Sequence, residues 1–338
     1  MDEIFTEAVL SRGSSSPYGG GLDFIQAIQE YSNPSLTALM KAVTNIVSEY
    51  VFFAVIMILF WVVNEKKAFR FGVFMLLSLW LNTVLKFLFK QPRPFHLENS
   101  LGMIGESGYG LPSGHAQLVL AFVVPLALWL VKTAKGRYTQ VVFALSGAAV
   151  LLVSFSRLYL GVHFPQDILA GWILGGLSLI LFFSLEGAVE KLPPGDFSFI
   201  KKAFPGTAAP PSRLARITLM LSSAVSLLMI ILPPREILPG AVFFGFTSGY
   251  ILAASRLSFT AKSGRRFPAA LFRLAVGFAG TALLYAGLKL VFPGSDSSWY
   301  TLFRFIRYAA VGFWVSFASP WVFENFARRQ KQTRPGCG

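Results

Sequence analysis

Three short clusters place ionisable and polar side chains at the edges of otherwise apolar stretches. Lys86, Arg93 and Pro94 stand in KFLFKQPRP, with Lys86 inside an apolar run. Pro112, Ser113, Gly114 and His115 open the next run, and Ser156, Arg157, His163 and Asp167 lie in SRLYLGVHFPQD. A charge at membrane depth costs about 3 kcal/mol or more, so groups kept in such places need a reason.

The residue types suggest one. Two arginines and a lysine offer forked and point-charge donors to a tetrahedral anion. Ser113 and Gly114, near a helix start, can add a hydroxyl and backbone N–H groups, which makes the set a phosphate-sized pocket. His163 and Asp167 are four residues apart. On a helical segment they could share a face, with the carboxylate orienting the imidazole and stabilising its positive charge. An imidazole so held is a nucleophile. His115 could protonate a leaving oxygen and afterwards activate water. Because the cations neutralise charge, the scheme calls for no metal and no cofactor.

Each cluster alone has a plainer reading. Lys86 could be a snorkelling residue, Ser113 and Gly114 a helix cap and turn, and His163 with Asp167 a structural pair. Their joint occurrence favours chemistry. His96, the third of three histidines, reads as incidental, with a headgroup contact as the alternative; Lys90 reads as a solvated loop charge.

The elements that must position these clusters are apolar helices. Of the 338 residues, 54% are hydrophobic and 14% charged, too apolar for a water-soluble globular chain. Several uninterrupted apolar runs have the length that a helix needs to cross about 30 Å of hydrocarbon, and only helices satisfy their own backbone there. The expected fold is an all-α polytopic membrane bundle of about nine spans, near 48–64, 70–89, 115–132, 139–157, 164–185, 214–232, 238–255, 268–291 and 302–323. Residues 1–21 read as a flexible lead-in without a cleavable signal. The stretch from Leu22 to about Val47 reads as one or two amphipathic interfacial helices. A Pro- and Gly-broken linker at 188–212 divides a core at 22–187 from a four-span part at 213–325 and a basic tail at 326–338.

The formal charge of +14 comes from short loops, so it speaks of topology rather than nucleic acid. Lys66, Lys67 and Arg70, Lys132, Lys135 and Arg137, Lys201, Lys202 and Arg213, and Arg256, Lys262, Arg265 and Arg266 fall on one side with the tail. That side should be cytoplasmic, which places the N-terminus and all three clusters outside, in a plasma membrane of bacterial type. The single cysteine, Cys337, excludes an intrachain disulfide framework.

The clusters resemble the signature of the type 2 phosphatidic acid phosphatase family, written K-x6-R-P, P-S-G-H and S-R-x5-H-x3-D, across Lys86 to Asp167. The resemblance implies a helical catalytic core, a phosphohistidine at His163, acid catalysis by His115 with Asp167 orienting the nucleophile, and phosphate contacts from Lys86, Arg93, Ser113, Gly114 and Arg157. It implies no metal. The nine-span layout is also similar to glucose-6-phosphatases and sphingosine-phosphate phosphatases.

The expected substrate is an amphiphilic phosphate, a lipid phosphate monoester or an isoprenyl diphosphate, met among membrane lipids. The alternatives are a water-soluble phosphate such as glucose 6-phosphate, against which Asp167 speaks, and phosphotransfer through the same intermediate. A vanadate-dependent haloperoxidase would share the pocket but not the apolar spans. A transporter that keeps the pocket as a relic is opposed by the complete residue set. The C-terminal spans carry no readable motif and are expected to serve specificity or homo-oligomeric assembly.

Overall fold

The structure is a computed structural model that describes residues 18–46, 48–191, 213–233, 236–264 and 267–332. Most of the expected lead-in, linker residues 192–212, Arg265, Arg266 and the end of the tail with Arg334 and Cys337 lie outside the described residues.

Among the described residues the architecture is helical and contains no strand. The helices are α1 (Gly19–Gln29), α2 (Pro34–Ile46), α3 (Glu49–Ile58, continuing through a π-helical turn at Leu59–Val63), α4 (Glu65–Phe89), α5 (Gly114–Thr133), α6 (Thr139–Tyr159), α7 (Pro165–Lys191), α8 (Arg213–Ile231), α9 (Ile237–Arg256), α10 (Phe267–Val291), α11 (Tyr300–Phe313) and α12 (Ser319–Gln332), the last two joined by a π-helical stretch at Trp314–Ala318. A helix stands at each of the nine expected span positions. Six of these are long and apolar enough to cross a membrane, seven if Pro34–Ile46 and Tyr50–Val63 count as one span. The helices near 214–232 and 302–323 fall short of that test, the first as a shorter apolar helix at Arg216–Ile231.

The chain forms two compact units: Met1–Phe52 with Leu81–Leu185, and Phe53–Trp80 with Glu186–Gly338. The division falls within α3 and α4, so Phe53–Trp80 belongs to the same unit as the C-terminal helices.

In the first unit, the stretch from Leu22 to about Val47 resolves into two helices. Pro34 fixes the first turn of α2, and the Asn33 side chain accepts the Leu36 N–H at 2.9 Å, a favoured way to start a helix. Both helices pack onto the end of α6 and the short segments that flank the site. Ile25 is fully buried with Leu97, Leu101 and Phe164, and Met40 packs with Tyr159, Leu160 and Val162. Gln29 Nε2 donates to the carbonyls of Leu101 and Tyr159 at 2.9 and 2.8 Å. Helices that the pattern could only describe as amphipathic thus clamp the two segments leading to His163.

Helix α7 shows how an almost uniformly apolar sequence chooses its faces. Leu169, Ile173, Leu177, Ile180 and Leu181 are exposed, a stripe at helical spacing suited to lipid. Gly171 and Gly175 lie on the other side, where an added Cβ would come within 2.6 Å of the Ser113 carbonyl and 3.0 Å of the Gln117 carbonyl. Small residues let the backbones of α7 and α5 meet closely, the usual device of membrane helix pairs.

The second unit has its own aromatic core around Phe60, Trp61, Phe243, Phe246 and Phe323. Gly245 and Gly312 bring α9 and α11 into backbone contact. Trp61 Nε1 donates to the Val315 carbonyl at 2.9 Å.

Candidate active site

The third cluster is shaped by the way one helix stops and the next starts. At the end of α6 the Gly161 N–H donates to the Leu158 carbonyl and the Val162 N–H to the Arg157 carbonyl, with Gly161 at φ +67°. This paired closure needs a left-handed residue after the helix, which glycine supplies without strain. Here glycine is required twice, since a Cβ on Gly161 would lie 1.9 Å from the Leu101 carbonyl oxygen. Arg157 therefore stays on the last turn of α6 while the chain reverses to present His163. Pro165 then opens α7, and Asp167 in its first turn reaches back to accept the Phe164 N–H at 2.9 Å.

That anchored carboxylate holds the histidine. Asp167 Oδ2 is 3.2 Å from Nδ1 of His163, so a proton on Nδ1 leaves Nε2 with its lone pair free. On the other side of the ring, Arg93 Nη1 lies 3.3 Å from Nε2. His163 is 1% exposed. Burial, and then the positive charges of Arg93, Lys86 and Arg157, hold it well below the usual imidazole range. Burial and the neighbouring cations thus keep the ring neutral.

The other clusters close around it. Arg93 is fixed by four neighbours: its Nε donates to the Gly108 carbonyl at 2.8 Å, Nη1 to Val162 at 3.0 Å and Nη2 to Ser107 at 3.1 Å, and its own N–H is accepted by His96 Nδ1 at 3.1 Å. Lys86 Nζ donates to the Tyr109 and Gly110 carbonyls at 2.8 and 3.1 Å. Gly110 itself packs so tightly that a Cβ there would stand 2.9 Å from Asp167 Oδ2. Ser113 caps α5, and its N–H donates to the Asp167 carbonyl at 2.9 Å, tying the start of α5 to the start of α7. Gly114 follows, where an added Cβ would lie 3.2 Å from Asn82 Oδ1. All eight residues expected from the sequence therefore belong to one neighbourhood of the first unit.

Sequence reasoning missed several others. Glu106 bridges the two arginines, with Oε2 2.5 Å from Arg157 Nη2 and Oε1 3.8 Å from Arg93 Nη2. Burial would raise its pKa, but the charge and hydrogen bond of Arg157, then Arg93 and His115, outweigh this and hold it below the usual carboxylate range. Thr44 accepts from Arg157 Nη1 at 2.8 Å. Asn82 donates to Gln117 Oε1 at 2.6 Å and to the Pro112 carbonyl at 3.3 Å. Asn82 carried a usable signal, being a polar side chain in an apolar run one turn before Lys86. Glu106 and Thr44 had none, since their partners lie 51 and 113 residues away.

Arg157 Nε is buried with no hydrogen-bond partner among the described residues. The other side of the same guanidinium is held by Glu106 and Thr44. Clustered Lys and Arg side chains beside an oriented, neutral imidazole have the chemistry to hold a tetrahedral oxyanion next to a nitrogen lone pair.

Residues 67–190 match the PAP2 superfamily, and residues 238–331 match its phosphatase transmembrane extension. The chain belongs to the PAP2 superfamily. Phosphatidylglycerophosphatase B of Bacillus subtilis is 36% identical over 114 residues, which cover 33% of this PAP2 chain and 53% of that protein. Undecaprenyl-diphosphatase of Sulfolobus acidocaldarius is 29% identical over 188 residues, 53% of this chain and 86% of that one. The PAP2 chain therefore spans about half the length of the first relative. A crystal structure of a transmembrane PAP2-type phosphatidylglycerolphosphate phosphatase from Bacillus subtilis is similar with a TM-score of 0.45 and 26% identity, covering 57% of this chain and 95% of that one.

Proposed function

We propose that this membrane protein hydrolyses a lipid phosphate monoester or an isoprenyl diphosphate through a phosphohistidine at His163, without a metal. The observation that carries the reading is the polarity of the imidazole: Nδ1 faces Asp167 Oδ2 at 3.2 Å and Nε2 faces Arg93 Nη1 at 3.3 Å. Nε2 attacks phosphorus as the bond to the leaving oxygen breaks, and His115 gives that oxygen a proton. Asp167 stabilises the imidazolium so formed. Water then attacks phosphorus, its proton passing to His115, and the P–N bond breaks to release phosphate and neutral His163. Lys86, Arg93 and Arg157 neutralise the equatorial oxygens, aided by Ser113 and the Gly114 N–H at the start of α5. Arg93 exchanges its hold on Nε2 for the phosphoryl group.

In this reading nine helices cross the membrane, with a catalytic core at 22–187 and a four-helix extension at 213–325. The N-terminus and site are extracytoplasmic and the tail cytoplasmic. Support for the count comes from the helix present at each expected position, and support for the orientation from the basic loops on one side. The amphiphilic substrate is supported by the names of the two relatives, which act on lipid-borne phosphates.

The test is phosphate release by the purified protein, in chelator, from isoprenyl diphosphates, phosphatidic acid, phosphatidylglycerophosphate, sphingoid phosphates and glucose 6-phosphate. Release from a lipid substrate that His163→Ala abolishes is the expected result. Undiminished release by that variant overturns the mechanism, a strict magnesium requirement overturns its metal-free form, and preference for glucose 6-phosphate overturns the substrate class. Labelling of Cys337 only from the cytoplasmic side is the outcome expected of the orientation.

A further inference from the structure

Two buried side-chain nitrogens lack a hydrogen-bond partner among the described residues: Arg157 Nε in the candidate active site, and Arg307 Nε. Arg307 belongs to the second unit. It is 8% exposed, and its guanidinium lies 5.5 Å from the ring of Tyr285 and 5.2 Å from that of Tyr308. Arg304, one turn earlier on α11, stands 5.9 Å from the Tyr308 ring and 3.8 Å from the Glu236 carboxylate.

This is not how the same unit treats a structural arginine. Arg273, buried to a similar degree, donates to the carbonyls of Trp61, Thr260 and Ala261 and to the Ser263 hydroxyl. Its charge is spread over four acceptors, whereas among the described residues Arg307 Nε has no acceptor and the guanidinium faces two aromatic rings. Such faces attract a cation, yet they do not fill the directional N–H sites of a guanidinium, which suits planar oxyanions and phosphates. A buried arginine nitrogen without an acceptor is a candidate for binding an anion from outside the protein.

We propose that Arg307 and Arg304, framed by Tyr285 and Tyr308, bind the phosphate of a membrane lipid headgroup. The lipid, rather than free phosphate, is favoured by the flanks: Leu302 and Ile306 on the same helix turns are exposed, and the segment lies within the transmembrane extension. Acyl chains have apolar surface to meet there. The inference is independent of the catalytic reading, because none of these residues belongs to the catalytic set.

The experiment is thermal unfolding of the full-length protein in neutral detergent, with orthovanadate present throughout to occupy the catalytic pocket. Dioctanoyl phosphatidylglycerol, dioctanoylglycerol and inorganic phosphate are titrated separately. The phospholipid should raise the midpoint saturably, and the glycerolipid without phosphate should not. Arg307→Met removes no internal hydrogen bond, so it should fold with a midpoint at or above wild type without lipid. It should need about tenfold more phospholipid for the same shift, the loss of roughly one charge-assisted bond. Arg304→Gln should weaken binding by a smaller factor. Equal phospholipid shifts in wild type and both variants overturn the site. Equal shifts with dioctanoylglycerol overturn its phosphate chemistry, and saturation by inorganic phosphate at the same concentrations overturns the lipid.

Discussion

Asp167 Oδ2 serves two donors at once, the Phe164 N–H at 2.9 Å and Nδ1 of His163 at 3.2 Å. The backbone bond fixes the carboxylate, and the carboxylate in turn fixes the tautomer of the ring. Asp167→Asn can still offer one oxygen to both donors, but it carries no charge to stabilise an imidazolium. The turnover number should fall by about 10²–10⁴ with little change in KM, because the loss arises in the transition state. Steady-state kinetics on an isoprenyl diphosphate measure this; a loss under about fivefold is too small for an orienting carboxylate and would falsify the assignment.

Glu106 places its carboxylate on Arg157 and Arg93, the two cations expected to take the phosphoryl group. Substrate must compete with it. Glu106→Gln keeps the shape and removes the charge, so inhibition by orthovanadate should strengthen about 3–10-fold, the worth of one partly exposed charged contact. An unchanged or weaker inhibition constant means that the carboxylate and the anion occupy separate places.

Helix α7 contains a paired test of packing. An alanine inside a helix ordinarily stabilises by roughly 0.5–1 kcal/mol relative to glycine. Gly176, where an added methyl group would meet nothing within 4 Å, should follow that rule on substitution by alanine. At Gly171 the methyl would meet the Ser113 carbonyl at 2.6 Å, so Gly171→Ala should instead destabilise by about 1–3 kcal/mol and lower turnover by displacing the start of α5. Unfolding midpoints that move the same way in both variants contradict the close approach of α5 and α7.

Acid should weaken the fold in two steps. His163 sits well below its ordinary value and Glu106 below the carboxylate range, so at each site the unfolded chain binds protons before the native one does. Stability tied to His163 is complete above its unfolded pKa of about 6.5 and is lost as pH falls below it, and that tied to Glu106 is lost below about 4.3. The unfolding midpoint should therefore begin to fall below about pH 6.5, and the first part of that fall should shrink in His163→Asn. An acid profile identical in wild type and His163→Asn would show that the burial of neutral His163 is not linked to stability.

Much of this protein could be read along the chain. Apolar runs of spanning length give helices whatever their neighbours, because hydrocarbon leaves the backbone no other partner, and a helix stands at every position where such a run was found. The eight polar residues of the three clusters stood out for the same reason, since charge at membrane depth is costly. Their spacing carried structure as well: six residues from Arg157 to His163 are what a glycine-closed helix end needs before the chain reverses.

Tertiary structure alone decided what meets across long separations. No periodicity couples Glu106 to Arg157, Thr44 to the same guanidinium, or Gln29 to the carbonyls of Leu101 and Tyr159, because each contact depends on loop closure rather than local pattern. Nor could composition show that Arg273 would find four acceptors while Arg307 Nε finds none among the described residues. The sequence determined which residues are too costly to be idle. Packing determined which of those charges find acceptors within the protein, because only the folded chain brings donor and acceptor together.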